Sequence, residues 1–77
     1  MVLDRIAVLV AEQFRQERED ITEDTVFEEL EADEMDIADL ILAVEDTFRI
    51  DIDTDAANAL TTVGDLADVV EEALGLR

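Results

Sequence analysis

The chain has 77 residues, 49% of them hydrophobic, and carries 23 acidic side chains against 5 arginines, for a formal net charge of −18. Its length predicts one domain over residues 1–77, and periodic apolar residues in this proportion exclude a disordered acidic tail. Because phosphate binding needs a basic footprint, the charge argues against nucleic acid and anionic membranes as partners. It favours proteins with basic surfaces.

The first predicted element is an amphipathic helix over residues 2 to about 17. Its apolar stripe comprises Leu3, Ile6, Ala7, Val10 and Phe14. This segment contains acids and has no small-residue cleavage site, so no signal peptide is expected. The chain also has no apolar run long enough for membrane insertion. Together these features predict a cytoplasmic protein. Residues 18–33 then form a long connection, which apolar anchors should hold against the core. The candidate anchors are Ile21, Val26, Phe27 and Leu30.

A second helix is predicted from about residue 34 to Phe48, with Asp33 as its N-cap and Asp36 in its first turn. Acids suit this end of a helix because its dipole is positive there. The core-facing stripe of this helix comprises Ile37, Leu40, Ile41, Val44 and Phe48.

Two further helices complete the predicted fold. A short helix should be capped by Thr54 or Asp55 and should reach Leu60. Thr62 and Asp65 resemble a capping box for a last helix, which stops at the second glycine. The stripe of that helix comprises Val63, Leu66, Val70, Ala73 and Leu74. The fold class is therefore all-α: a small four-helix bundle of three longer helices and one short helix, with a long loop between the first and second helices.

The second helix carries another set of residues on the side opposite its core stripe. They follow one another at i, i+4, i+7 and i+11 and are Met35, Asp39, Leu42 and Asp46, with Ala38 and Glu45 beside them. Large apolar side chains flanked by acids are typical of a docking surface for a basic, partly apolar partner. The alternative is an ordinary solvated face, because singly exposed apolar residues are normal on protein surfaces.

Metal and enzymatic sites are weakly supported. Asp51, Asp53 and Asp55 match the first ligands of a calcium-binding loop. Ala56 stands where that loop requires glycine and Thr62 where a bidentate glutamate should close it, so no specific metal site is expected. An enzyme is not expected either, because the sequence contains no Cys, His, Ser, Lys or Tyr to act as a common nucleophile or base.

The segment FEELEADEMDIADLILAVEDTFRIDI, residues 27–52, resembles the core of the acyl carrier protein family. In that family a Phe-x-x-Leu-Gly-Ala-Asp-Ser-Leu-Asp motif opens the second helix. The later segment TTVGDLADVV also looks like the family, and the resemblance runs without an evident gap from Ile21 to Val70. It implies a small helical bundle whose acidic second helix meets basic patches on carrier-protein-dependent enzymes.

The function of the family depends on the serine of that motif, whose oxygen takes a 4′-phosphopantetheine arm that carries acyl groups. The matching tripeptide is Asp33-Glu34-Met35, so Glu34 occupies the serine position. Glu31 stands in place of the usual glycine and Asp53 in place of a frequent proline. A carboxylate cannot accept the phosphoester, and the sequence contains no serine.

These observations predict an acyl-carrier-protein-like module of fatty-acid or polyketide-type lipid biosynthesis. The module would be a monomer that acts as an adaptor or regulator without carrying acyl groups, and no cofactor is expected. Its predicted docking residues for basic enzyme surfaces are Asp33, Glu34, Met35, Asp36, Asp39, Leu42, Glu45 and Asp46. The alternative is a genuine acyl carrier protein, seen as a Ser-to-Glu variant or charged through another residue, with 4′-phosphopantetheine as its cofactor. A third possibility is an acidic structural domain with no affinity for such enzymes.

Overall fold

Four α-helices form the molecule, and all residues 1–77 are described by a computed structural model. The helices are α1 (Val2–Phe14), α2 (Glu34–Phe48), α3 (Thr54–Asn58) and α4 (Val63–Ala73). Two short 3₁₀ turns, Arg18–Asp20 and Phe27–Leu30, lie in the connection between α1 and α2. The predicted all-α architecture of three longer helices and one short helix is confirmed.

The core is entirely apolar, and most of it comes from the predicted helix stripes. Helix α1 packs against both α2 and α4. The buried residues, none of which is polar or charged, are Ile6, Ala7, Val10, Ala11, Ile21, Phe27, Leu40, Ile41, Val44, Phe48, Val63, Leu66, Ala67 and Val70. Each fully buried large apolar side chain contributes about 1.5–3 kcal/mol, so this cluster is what holds the small bundle together. None of the helices combines the length and the apolar composition needed to cross a membrane.

Helix α1 is shorter than the sequence predicted. It ends at Phe14 rather than near residue 17, because Arg15 adopts a left-handed backbone conformation (φ 57°). The N–H groups of Arg15 and Gln16 both donate to the carbonyl of Ala11, which closes the helix. Glycine is the usual residue at such a position, so an arginine there does not mark the end of the helix in the sequence.

The caps of the last two helices confirm one prediction and correct another. Thr62 and Asp65 form the predicted capping box at the start of α4. Helix α3, however, is capped by Asp53, whose Oδ1 accepts a hydrogen bond of 2.7 Å from the backbone N–H three residues further on. The predicted cap at Thr54 or Asp55 was therefore wrong, because the carboxylate one residue earlier already satisfies the free N–H group.

The apolar stripe of α4 is also shorter than predicted. Its first three members are buried, whereas Ala73 and Leu74 are exposed. The helix ends at Ala73, and Gly75 (φ 76°) takes the left-handed position that closes it. The stop at this glycine is confirmed, and the last apolar residues of the stripe lie on the surface.

The predicted anchors of the long connection are confirmed in part. Ile21 and Phe27 are buried, while Val26 and Leu30 are half-buried. Val26 also forms an isolated antiparallel bridge with Thr62, at the start of α4. The connection is therefore anchored to the bundle at these apolar positions, while most of its other residues are exposed.

Backbone hydrogen bonds fix the same connection to the first turn of α4. The N–H groups of Val63 and Gly64 donate to the carbonyls of Thr25 and Glu23, each at 2.9 Å. The first N–H groups of a helix have no partner within the helix, so these bonds satisfy donors that would otherwise be left free. The connection thus supplies hydrogen-bond acceptors to the first turn of α4, and α4 supplies donors to the connection.

Asp65 makes the start of α4 sensitive to pH. Its Oδ2 accepts hydrogen bonds from the N–H groups of Thr62 (3.0 Å) and Thr61 (2.9 Å). These bonds, that from Thr62 first, hold the pKa of the Asp65 carboxyl below its usual value. A lowered folded-state pKa means that the carboxylate stabilises the fold fully above its unfolded-state pKa of about 3.9. The contribution is lost as the pH falls through the folded-state pKa.

We expect Asp65→Asn to lower the free energy of unfolding by about 0.5–1 kcal/mol at neutral pH, and the difference from the parent chain to shrink as the pH falls below about 3.9. Urea unfolding at a series of pH values measures both effects. Glu72→Gln is the control, because it removes one exposed charge from the same helix without touching a cap. A difference that stays constant down to strongly acidic pH would contradict this assignment.

Candidate functional site

Glu34 lies at the first helical position of α2, directly after the N-cap. The Oδ1 of Asp33 accepts a hydrogen bond from the N–H of Asp36 (2.8 Å), and the Oδ2 of Asp36 accepts one from the N–H of Asp33 (3.1 Å). This reciprocal pair is a capping box, so the predicted cap is confirmed and the start of the helix is fixed. The Glu34 side chain is exposed and presents its carboxylate to solvent.

Two contacts from outside the helix hold α2 in place. The Nε2 of Gln13, at the end of α1, donates to the carbonyl of Asp36 at 2.5 Å. Near the other end of α2, the Oε2 of Glu45 accepts a hydrogen bond of 2.8 Å from the N–H of Ile52. Asp36 and Glu45 were predicted to bind partners, but both are half-buried and their carboxylates accept hydrogen bonds within the chain.

The side of α2 that faces away from the core combines exposed apolar side chains with acids. Met35 is 70% exposed and Leu42 is 64% exposed. Asp39 and Asp46 are exposed as well, as the helical spacing predicted. These four residues are called the outer face of α2 below. The outer face therefore carries two large apolar side chains and two acids, all of them open to solvent.

A groove beside Glu34 runs between α2 and α3. One part, of ≈ 540 Å³, is lined by Ala32, Asp33, Glu34, Ile37, Ala57, Asn58 and Leu60. The adjoining part, of ≈ 330 Å³, is mainly apolar and is lined by Ile37, Ala38, Ile41, Leu42, Ile52, Thr54, Ala57 and Asn58. Because the two parts share lining residues, they form one continuous α2–α3 groove. It joins the outer face of α2 at Leu42.

The contribution of α3 to this groove could not be predicted from the sequence. Thr54, Ala57 and Asn58 all line it, yet none of them was predicted to lie at a binding surface. A helix of five residues is too short to show an apolar period, so its inner face has no signature in the sequence. The one feature of the sequence that could have indicated a groove next to α3 is Ile52, an apolar residue between two acids just before that helix.

The acidic run before α3 forms no calcium loop. Asp53, which matched one of the calcium ligands, serves instead as the N-cap of α3. No group of three or more acidic side chains is arranged so that it could hold a metal ion. The run therefore starts a helix, and its carboxylates are used for capping or are solvated.

Glu31 adopts a left-handed backbone conformation (φ 59°, ψ 33°) just before α2. It closes the 3₁₀ turn Phe27–Leu30: its N–H donates to the carbonyl of Glu28, and the N–H of Ala32 donates to that of Phe27. An L-residue with a side chain pays about 1–2 kcal/mol for this region of backbone space. Glycine, the residue that the resemblance places here, adopts it without strain.

Glu31→Gly is expected to raise the free energy of unfolding by about 0.5–1 kcal/mol, since relief of the strain exceeds the extra entropy that glycine loses on folding. The midpoint of urea unfolding measures the change. Glu31→Ala is the matched control, because it removes the same charge and keeps the strained backbone. If both variants gained equal stability, charge rather than backbone conformation would be the cause.

Comparisons with known proteins identify the family. A family model described as "Phosphopantetheine attachment site" matches residues 4–70. The acyl carrier protein of Streptococcus pyogenes serotype M3 is 38% identical over 71 residues, which cover 92% of this chain and 93% of that protein. The acyl carrier protein of Lactococcus lactis subsp. cremoris is 36% identical over 70 residues, with 91% and 93% covered.

A solved structure supports the same assignment. The crystal structure of an acyl carrier protein from Thermotoga maritima superposes with a TM-score of 0.79 at 28% identity, covering 92% of this chain and 84% of that one. The fold and site thus define a carrier-protein domain of the phosphopantetheine-attachment class. The chain belongs to the acyl carrier protein family. The prediction that it is not an enzyme is confirmed, because acyl carrier proteins are carriers.

The residues at the start of α2 do not fit the attachment of 4′-phosphopantetheine through a serine. The residue that the resemblance aligns with the serine is Glu34, and the chain contains no serine at any other position. A carboxylate has no hydroxyl oxygen with which to form the phosphodiester. The capping box of α2 and the adjoining groove lie next to this position.

Proposed function

We propose that this chain is an acyl-carrier-protein-like module of fatty-acid or polyketide-type lipid biosynthesis that docks on biosynthetic enzymes without carrying phosphopantetheine. The proposal rests on Glu34, which stands at the exposed start of α2 in a chain with no serine. Such a module acts as an adaptor or regulator among carrier-protein-dependent enzymes.

Glu34 supplies a charge that resembles part of a loaded carrier. Its carboxylate is a fixed negative charge at the N-terminus of α2, where the helix dipole favours an anion. In a loaded carrier the phosphate of the arm would occupy this region. Glu34 therefore imitates the charge of the modified protein and brings neither a thiol nor an acyl chain.

Docking is assigned to the outer face of α2 together with Glu34. Met35 and Leu42 supply apolar contact, while Glu34, Asp39 and Asp46 pair with arginine or lysine on the partner. The remaining residues of the predicted surface accept hydrogen bonds within the chain and serve to position the helix: Asp33, Asp36 and Glu45.

Glu34→Ser tests whether the missing hydroxyl is the feature that separates this chain from a carrier. The variant, the parent chain and Glu34→Ala are each incubated with a phosphopantetheine transferase and coenzyme A, and their intact masses are measured. We expect Glu34→Ser alone to gain one arm. Charge reversal at a docking residue, in Glu34→Ser with Asp39→Arg, should slow the modification by about tenfold or more.

Each outcome of that experiment bears on one part of the proposal. An unmodified Glu34→Ser chain would contradict the docking role of α2, because the transferase would then fail to engage the surface. A modified parent chain would contradict the non-carrying role. Equal rates with and without Asp39→Arg would remove Asp39 from the docking surface.

A genuine carrier is the second candidate, and the completeness of the site favours it. The capping box of α2 and the α2–α3 groove surround Glu34 as they would a modified residue. Such a carrier would hold its arm on another residue, or Glu34 would replace the serine of an otherwise ordinary carrier. Thr54 is a hydroxyl residue that lines the groove. Fragmentation of any loaded protein would show which residue holds the arm.

A further inference from the structure

The segment around Glu34 has no buried side chain of its own. Phe27 is buried before it and Leu40 after it, and every residue from 28 to 39 is half-buried or exposed. Burial of apolar side chains is the main force that fixes an element to a small bundle. The start of α2 therefore depends on hydrogen bonds for its position, whereas the rest of the helix is held by its core stripe from Leu40 onward.

The hydrogen bonds of this segment are local, with one exception. The backbone bonds that close the turn Phe27–Leu30 and the bonds of the α2 capping box join residues no more than five positions apart. The side-chain amide of Gln13, in the last turn of α1, donates to the carbonyl of Asp36, which is 23 positions away in the chain. It is the one hydrogen bond that joins residues 28–39 to another helix of the bundle.

Asp36 connects this bond to Glu34. The N–H and the carboxylate of Asp36 both bond with Asp33, the N-cap, while its carbonyl accepts from Gln13. A carbonyl oxygen has two lone pairs, so the bond from Gln13 does not require the loss of a helical one. Glu34 and Met35 lie between the two bonded aspartates, and both side chains are exposed. Their position relative to α1 is therefore set, through Asp36, by the amide of Gln13.

We infer that Gln13 is a positioning residue, which holds the first turn of α2 so that residue 34 is presented to a partner enzyme in one orientation. The inference rests on the proposed docking function and adds to it a half-buried residue of α1 that acts through Asp36. Leu42 and Asp46 of the outer face lie beyond the buried Leu40, so their positions do not depend on this bond. Its loss should misplace residue 34 and leave the rest of the docking face intact.

Gln13→Met removes the donor and keeps an unbranched side chain of similar length. It is made in the Glu34→Ser chain, and transfer of the arm from coenzyme A by a phosphopantetheine transferase is followed over a range of chain concentrations. We expect kcat to fall about tenfold and KM for the chain to change less than about twofold, because a small misplacement of the reacting oxygen slows the transfer while docking continues.

Gln16→Met in the same Glu34→Ser chain is the matched control. Gln16 is exposed, and its amide donates only to the nearby carbonyl of Phe14. Both kinetic constants should therefore stay as they are in the Glu34→Ser chain. An equal fall in kcat for the two methionine variants would overturn the inference.

The two constants separate positioning from simple loss of stability. The chain is the substrate of this reaction, so a partly unfolded variant lowers the concentration of usable substrate and raises the apparent KM, with kcat unchanged. An unchanged kcat in Gln13→Met, with or without a rise in KM, would overturn the inference and leave docking through α2 in place. A Glu34→Ser chain that gains no arm would instead contradict the docking proposal, and with it the role of Gln13 toward a partner.

Hydrogen exchange measures the effect of the same bond without any partner. In the chain that keeps Glu34, Gln13→Met should speed exchange of the N–H of Ile37, which donates to the carbonyl of Asp33, by about tenfold. The amides of α4 should keep their rates. An unchanged rate at Ile37 would overturn the inference whatever the transferase shows, because Gln13 would then not hold the first turn of α2.

Discussion

Thermal unfolding is expected to move upward by on the order of 10 °C when the salt concentration rises from about 10 mM to about 300 mM. The molecule measures 29 × 25 × 20 Å and has a net charge of −18. At the lower salt concentration the screening length is about 30 Å, so every acid repels every other across the whole fold. At 0.1 M it is about 10 Å, and only neighbouring charges still interact.

Attractive pairs do not compensate for this repulsion. Arg18 pairs with Asp4 at 2.9 Å, and Arg77 pairs with Asp68 and Glu71. All of these pairs are partly or largely exposed, and exposed pairs contribute about 0–1 kcal/mol each. Salt that screens these attractive pairs therefore costs little stability. Salt that screens the repulsion among the unpaired acids stabilises the compact state.

The melting temperature should be compared in sodium chloride and magnesium chloride at equal ionic strength. Equal increases would show screening, whereas a larger increase in magnesium would show that divalent cations also collect loosely around the acids. A variant with several exposed acids of the connection replaced by amides should start higher and respond less to salt. A melting temperature that is indifferent to salt would contradict the electrostatic account.

Gly64→Ala is expected to destabilise the fold by about 1–3 kcal/mol, although alanine favours a helix interior more than glycine does. A Cβ atom at this position would lie 2.8 Å from the carbonyl oxygen of Glu23 and 3.2 Å from its Cβ. The same carbonyl accepts the hydrogen bond from the N–H of Gly64, so the contact cannot open without breaking that bond. The connection would have to move away from α4.

The loss matters because the net free energy of unfolding of a domain of this size is only about 3–5 kcal/mol once the loss of chain entropy is counted. Urea unfolding measures it, and Gly75→Ala is the control. Nothing lies within 4 Å of a Cβ at Gly75, so that variant reports only the cost of a left-handed backbone (φ 76°). A Gly64→Ala chain as stable as the parent would show that the connection is not held at the start of α4.

The sequence was sufficient to predict the helices wherever burial repeats with the helical period. Leu40, Ile41 and Val44 are buried as their spacing predicted, and the caps of α2 and α4 follow from side chains that can bond free N–H groups. The family resemblance also predicts Glu34 at the start of α2, where the structure has it.

The remaining features depend on contacts that have no local pattern. Arg15, Glu31 and Arg49 all adopt the left-handed conformation, which sequence reasoning assigns to glycine or asparagine. The hydrogen bond from Ile52 to Glu45 joins residues seven apart, so it could not be anticipated from capping rules. The α2–α3 groove arises from the packing of a helix too short to show a period.

The most direct test of the account is the intact mass of the protein purified from its own host. A chain that docks without carrying an arm is expected to show the mass of its unmodified polypeptide. An added mass equal to phosphopantetheine, with or without an acyl group, would contradict the non-carrying function. It would make the chain a carrier, and fragmentation would identify the residue that holds the arm.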